Sequence, residues 1–290
     1  MPLVSVLLSV RNDAQFVGEA AASILSQTLD DLELIVVDDA STDETPSVLA
    51  GLDDDRLVFL RNEERLGLAT SLNRGLDHAA GRYVARLDAD DVSLPDRLAR
   101  QVARIRAEPR IAVLGTAITD LDEHGRPGRT HVMPAGARPL RWHALFSSPF
   151  FHPTVLVDRE LLETHGLRYD PEFLESEDYD LWTRLFAYAD GDNLPEPLVH
   201  KRVHERQASL ARSDLQESFQ RRVALREIRR LAPGVDAECA WRVGARKQPP
   251  RRSSREYLRL LAAFEREHGR SRAVRTAALR ALLGSRRSRG

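Results

Sequence analysis

Three aspartates crowd into four positions of the stretch RLDADDVSLPDRL: Asp88, Asp90 and Asp91. Like charges this close repel one another, so the spacing asks for a cation. Hard carboxylate oxygens with no histidine or cysteine beside them suit Mg²⁺ or Mn²⁺ rather than zinc. An ion of that kind keeps several waters and bridges to phosphate oxygens. The plain alternative is an aspartate-rich turn leading into the next helix. Two further acidic groups stand apart from this one. Asp38 and Asp39 close the apolar run of LELIVVDDAST, and Glu175, Glu177, Asp178 and Asp180 fall within LESEDYDLWTRL. The first pair reads as a hydrogen-bond acceptor at a ligand or as a helix-capping turn. The second group reads as a general base with its neighbours, or as an acidic helix N-terminus favoured by the helix dipole.

The elements that must position these acids follow from hydrophobic period. LVSVLLSV (3–10), LELIVVDD (32–39), RLVFLRN (56–62) and YVARLDADD (83–91) are short, apolar runs expected as buried strands. Helical spacing between them predicts helices over 13–27, with Asp13 as N-cap, and from Ser41, with Ser41 and Glu44 as a capping box. A third is expected over 67–81, closed by Gly81, and a fourth with Pro95 in its first turn running to about Ala107. Strand–helix alternation of this kind gives an α/β fold with a mainly parallel central sheet. Ligands of such sheets bind beyond the carboxyl ends of the strands, where Asp38–Asp39 and Asp88–Asp91 both fall. Farther on, 111–118 and 154–158 read as strands and 176–189 as a helix. From about Ser213 the pattern is helical and rich in Arg, Ala and Leu, with a break over 246–254.

The ordered series of motifs resembles family 2 glycosyltransferases of the GT-A fold. It runs from VSVLLSVRNDAQFVGEAAASILSQTLDDLELIVVDDASTDET through NEERLGLATSLNRGLDHAAGRYVARLDADD, SLPDRLARQ, FHPTVLV and ESEDYDLWTRL to RVHERQAS. The likeness covers roughly residues 3–210. It implies a GT-A domain over 1–212, with a nucleotide-sugar half (1–118) and an acceptor half (119–212), and a helical, Arg-rich extension over 213–290. It also implies a nucleotide-diphosphate sugar donor, a Mn²⁺ or Mg²⁺ cofactor and transfer with inversion to a carbohydrate or lipid-linked acceptor. On the same grounds Asp90 is the metal ligand and Asp88 faces the ribose or a metal-bound water, while Asp91 orients the loop or caps the next helix. Asp39 accepts from the base, with Ser9, Arg11 and Arg65 on the same rim. Arg11 stands where many relatives carry an aromatic residue, so a UDP-sugar is favoured while other bases stay open. Asp178 matches the base. Glu177, His152 and Arg202 are placed on the acceptor side or a closing loop, and His204 near the metal or diphosphate. Trp182 is expected in the core.

Charge and composition bound the rest. Residues 1–100 carry 19 Asp and Glu against 9 Arg, whereas residues 251–290 carry 12 Arg against 3 Glu. The basic end is read either as a solvated face or as a peripheral contact with anionic lipid. Without interleaved aromatic residues it is not expected to bind nucleic acid. No run approaches the ~18 apolar residues of a membrane span. The N-terminus lacks the pattern of a signal peptide. Cys239 is the only cysteine, which excludes an internal disulfide framework and fits a cytoplasmic location. A nicotinamide enzyme would need a glycine fingerprint after the first strand, and SVRNDAQ has none. A nucleotidyltransferase is disfavoured because no glycine-rich phosphate loop with a following basic residue lies near the N-terminus. A sugar- or nucleotide-binding module without catalysis remains the alternative to an enzyme.

Overall fold

The computed structural model describes residues 1–122, 124–203, 213–247 and 253–287. The first half alternates as its pattern requires: β1 (Val4–Val10), α1 (Val17–Leu25), β2 (Leu32–Asp38), α2 (Thr45–Ala50), β3 (Leu57–Arg61), α3 (Leu68–His78), β4 (Tyr83–Arg86), β5 (Val92–Ser93) and α4 (Arg97–Ala107). The second half contains β6 (Ile111–Leu121), β7 (Pro127–His131), α5 (Ala137–His143), a 3-10 turn at His152–Thr154, β8 (Leu156–Asp158), α6 (Arg159–Thr164), α7 (Glu177–Leu185) and β9 (Asp190–Arg202). Four helices follow: α8 (Ser213–Leu231), α9 (Ala237–Gly244), α10 (Ser253–His268) and α11 (Arg272–Arg287).

The strands form one sheet in the order β3-β2-β1-β4-β8-β6-β9-β5, with β7 added on β6. The β3-β2-β1-β4 half is parallel throughout. Antiparallel pairing enters with β8, which lies against both β4 and β6, while β6 and β9 run parallel. Helices cover both faces, and this is why β1 is apolar at consecutive positions. Val4, Val6 and Leu8 pack with α1 and α4, whereas Leu7 packs with α3 on the other side. A third cluster joins Trp142 of α5 and Phe146 just beyond it to α8–α11 through Ile228, Trp241, Tyr257, Phe264 and Ala278.

Several local expectations give way to longer-range partners. β4 ends at Arg86, so the aspartates lie in the turn beyond it rather than in the strand. α1 begins at Val17, with Phe16 in the N-cap position in place of Asp13. The Ser41–Glu44 capping box is not formed; Ser41 Oγ accepts the backbone N–H of Asn12 at 2.9 Å, and α2 starts at Thr45. Pro95 precedes Asp96, the N-cap of α4, and so stands outside that helix. Gly81 does not close α3, which ends at His78. Its role is close approach, because a Cβ there would lie 2.5 Å from the Ser5 nitrogen.

Candidate active site

Parallel register brings the ends of β1, β2 and β4 to one rim. Val10 is level with Asp38, and Leu7 with Arg86. A crevice of about 560 Å³ opens there, lined by Ser9, Arg11, Asp39, Arg65, Gly67 and Glu177 among others. Asp39 is buried, and its carboxylate organises the neighbouring loop. Oδ1 accepts from Asn62 Nδ2 at 2.8 Å and Leu66 N at 2.7 Å, and Oδ2 accepts from Gly67 N at 2.9 Å. Burial opposes ionisation, but these hydrogen bonds prevail and hold the carboxyl below its ordinary range. Gly67 supplies the φ of 86° from which α3 departs. Asp38 faces inward, accepts from Ser41 N at 3.0 Å and lies 3.3 Å from Arg61, so it holds the loop after β2. Arg11 and Arg65 are exposed on the crevice wall.

The second group is the aspartate turn. One carboxylate oxygen from each of Asp88, Asp90 and Asp91 lies within 4.8 Å of the others. Asp91 is buried; its Oδ1 accepts from Arg202 N at 2.9 Å, and its Oδ2 has no hydrogen-bond partner among the described residues. Burial, then the charges of Asp88 and Asp90, push the Asp91 carboxyl well above its usual range. An orphaned buried carboxylate oxygen within an all-oxygen cluster of excess negative charge fits a hard dication. Arg202 locks the turn from β9: Nε donates to Asp90 O at 3.0 Å, Nη2 reaches Glu19 at 2.5 Å, and the guanidinium lies 4.4 Å from the Phe16 ring centre. It is therefore a loop-holding residue, 3 % exposed, without a surface for an acceptor. His204 lies outside the described residues.

The third group opens α7. Ser176 carries a φ of 66°, unusual for a residue with a side chain, and turns the chain into α7 just before Glu177, which lines the crevice, and Asp178. Ser148 Oγ donates to Asp178 Oδ2 at 3.0 Å. Burial raises the Asp178 carboxyl above its ordinary range despite that bond. Glu177, buried beside it, is pushed up to about 8 by burial and by the Asp178 charge. His152 Nδ1 is 3.7 Å from Glu177 and its Nε2 pairs with the Tyr169 hydroxyl at 3.0 Å. Burial, then the nearby Arg86 charge, keep this imidazole neutral. Asp180 faces away, as i and i+2 in a helix must, and pairs with Arg184 and Arg226. Trp182 is fully buried in the core.

Arg86 is 3 % exposed and ion-paired with Asp88 of the aspartate turn. Its charge also acts on Tyr169, Glu177 and Asp178. The one signal of Arg86 in the sequence is a cation inside an otherwise apolar strand pattern. Ser148 and Tyr169 carried no signal. Asn73 fixes Tyr169 by a pair of side-chain to backbone bonds of 2.7 and 2.9 Å.

Residues 5–165 match the family model described as glycosyl transferase family 2. The chain is 37% identical over 206 residues to the putative glycosyltransferase EpsE of Bacillus subtilis, covering 69% of this chain and 73% of that one. Among solved structures, TarS of S. aureus in complex with UDP-GlcNAc matches with a TM-score of 0.64 at 19% identity, over 97% of this chain and 80% of that one. The mannosyltransferase PcManGT of Pyrobaculum calidifontis, in complex with GDP-Man and Mn²⁺, matches with a TM-score of 0.60 at 22% identity and the same coverage. These two structures share the fold.

Proposed function

The chain belongs to glycosyl transferase family 2, and on that premise we propose a metal-dependent, inverting transfer of a sugar from a nucleotide-diphosphate donor to a hydroxyl acceptor. The observation that carries this reading is the arrangement of the acids. A cluster suited to a dication and a separate, half-buried carboxylate held by Ser148 both lie within reach of the Arg86 charge. Relatives of the same fold solved with UDP-GlcNAc, or with GDP-Man and Mn²⁺, support the donor class and the cation.

Asp90 would hold Mn²⁺ or Mg²⁺, with Asp88 beside it and Asp91 fixing the turn. Such an ion neutralises the donor diphosphate and eases its departure. The other steps fall to the chain itself. Ser9, Arg11 and Arg65 line the wall that receives the nucleotide. Asp39 lines that wall as well, and its carboxylate is an acceptor suited to an N–H of the base. A UDP-sugar is the favoured donor, in line with the neighbour solved with UDP-GlcNAc. Asp178 takes the proton of the acceptor hydroxyl as its oxygen bonds to the anomeric carbon. The bond from that carbon to the diphosphate breaks on the opposite face, and the nucleoside diphosphate leaves with the electron pair. Glu177 and His152 shape the acceptor side. The acceptor class is a carbohydrate or lipid-linked hydroxyl compound of polysaccharide or glycoconjugate synthesis. The proposed location is the cytoplasm or the inner face of the membrane, where the buried thiol of Cys239 stays reduced.

Calorimetry with UDP and Mn²⁺, followed by a donor-hydrolysis assay, tests the reading. Asp90→Ala is expected to abolish the metal-dependent part of UDP binding. Tight binding with no hydrolysis or transfer across a panel of nucleotide-sugars would instead favour a binding module.

A further inference from the structure

The outward face of α11 combines two features that a purely solvated helix has no use for. Val274, Ala278 and Ala281 are buried in the third core cluster and define the inward side. At 100° per residue, Arg272, Arg275, Leu279, Arg280 and Leu283 fall together on the opposite sector. Leu279 and Leu283, one turn apart, are 57% and 52% exposed. Arg275 is held by Glu265 through bonds of 2.5 and 2.8 Å, but Arg272 and Arg280 have no ion pair among the described residues. Arg270, Arg272, Arg275, Thr276 and Leu279 line a hollow of about 380 Å³ at the start of the helix. Residues 269–290 contain seven arginines and no acid.

Going beyond the transfer reaction, we propose that this face docks the enzyme on an anionic lipid bilayer. Guanidinium groups pair with lipid phosphates, the Arg270–Arg272 hollow admits a headgroup, and Leu279 and Leu283 enter the acyl boundary. Charge complementarity selects this occupant. A second copy of the chain, docked by the same face, would set arginines against arginines across a two-fold axis with no acid from residues 269–290 to offset them. Nucleic acid would find no aromatic platform on this sector.

The protein is sedimented with phosphatidylcholine vesicles and with vesicles in which phosphatidylglycerol replaces part of the phosphatidylcholine. Binding to the anionic vesicles alone is expected. Arg272→Glu and Arg280→Glu should each weaken it about five-fold or more. Leu279→Ser with Leu283→Ser should remove the part of binding that survives high salt. All these side chains point outward, so unchanged melting temperatures confirm that the variants fold. Donor hydrolysis should persist in these variants yet be lost in Asp90→Ala, which separates failure of docking from failure of the catalytic reading. The proposal is overturned by absence of binding to anionic vesicles, or by binding that all the variants retain. It is equally overturned by a dimer that the leucine variants dissociate while no vesicle binding occurs.

Discussion

Arg86 is the residue through which the site is electrically joined. It pairs with Asp88 on one side, and on the other its field lowers the cost of charge on Glu177 and Asp178. Burial pushes both carboxyls up, and the Arg86 charge opposes that push on each of them. Replacing Asp178 with Asn keeps size and the Ser148 contact while removing the proton acceptor. The turnover rate is expected to fall by about 10²–10⁴, with UDP binding unchanged by calorimetry. Normal turnover in this variant would remove the assigned base. Glu177 gives a prediction in pH. Its carboxyl stays protonated in the folded protein up to about 8, against an ordinary value of 4.5. Between those values the folded state holds the extra proton. The stability it contributes is therefore full below the lower value and is lost as pH rises towards the upper one. Glu177→Gln, neutral at every pH, should gain on the order of 1 kcal/mol or more over the parent on the alkaline side. It should match the parent only below the ordinary value of 4.5, as read from thermal melts across the range.

At the scale of elements, the site depends on strand ends held in register. Gln27, just past α1, donates to Ser93 Oγ at 3.1 Å and accepts from Leu98 N at 3.1 Å, tying β5 and α4 to the first helix. Arg97 reaches from α4 to the Arg86 carbonyl at 2.7 Å, so the end of β4 is fixed from beneath. β1 is the common neighbour of β2 and β4, and Gly81 permits its close approach to the turn before β4. Gly81→Ala would drive a Cβ to 2.5 Å from Ser5 N and 2.8 Å from the Val4 carbonyl carbon, both backbone atoms that cannot swing aside. A loss of about 1–3 kcal/mol is expected, measured as a lower urea midpoint at constant slope.

At the scale of the whole molecule, the C-terminal helices are packed rather than appended. Trp142 of α5 meets Phe146, Tyr257 and Phe264 edge to face, with ring centres 5.2–5.5 Å apart. That contact ties α10 to the chain segment that also carries Ser148, the partner of Asp178. Trp142→Ala should cost about 3–5 kcal/mol and expose the C-terminal helices to limited proteolysis. Proteolysis unchanged from the parent would show that α8–α11 are held by other contacts. Among the described residues no helix is long and apolar enough to cross a membrane.

The order of strands and helices in the first half, and the acids at the strand ends, were determined by the sequence alone. Strands covered on both faces must be apolar at successive positions, and such runs are legible without a structure. Charges that terminate them are equally visible. Partners distant in the chain were decided only by tertiary packing. Asp91 meets Arg202 across 111 positions and Asp178 meets Ser148 across 30. Ser41 abandoned its local cap for an N–H 29 residues away. Periodicity reports which face an element buries; it carries no record of which atom will stand opposite once the faces close. For that reason the acids were found early, while Arg86, the cation that lets them share one site, was recognised only in the folded chain.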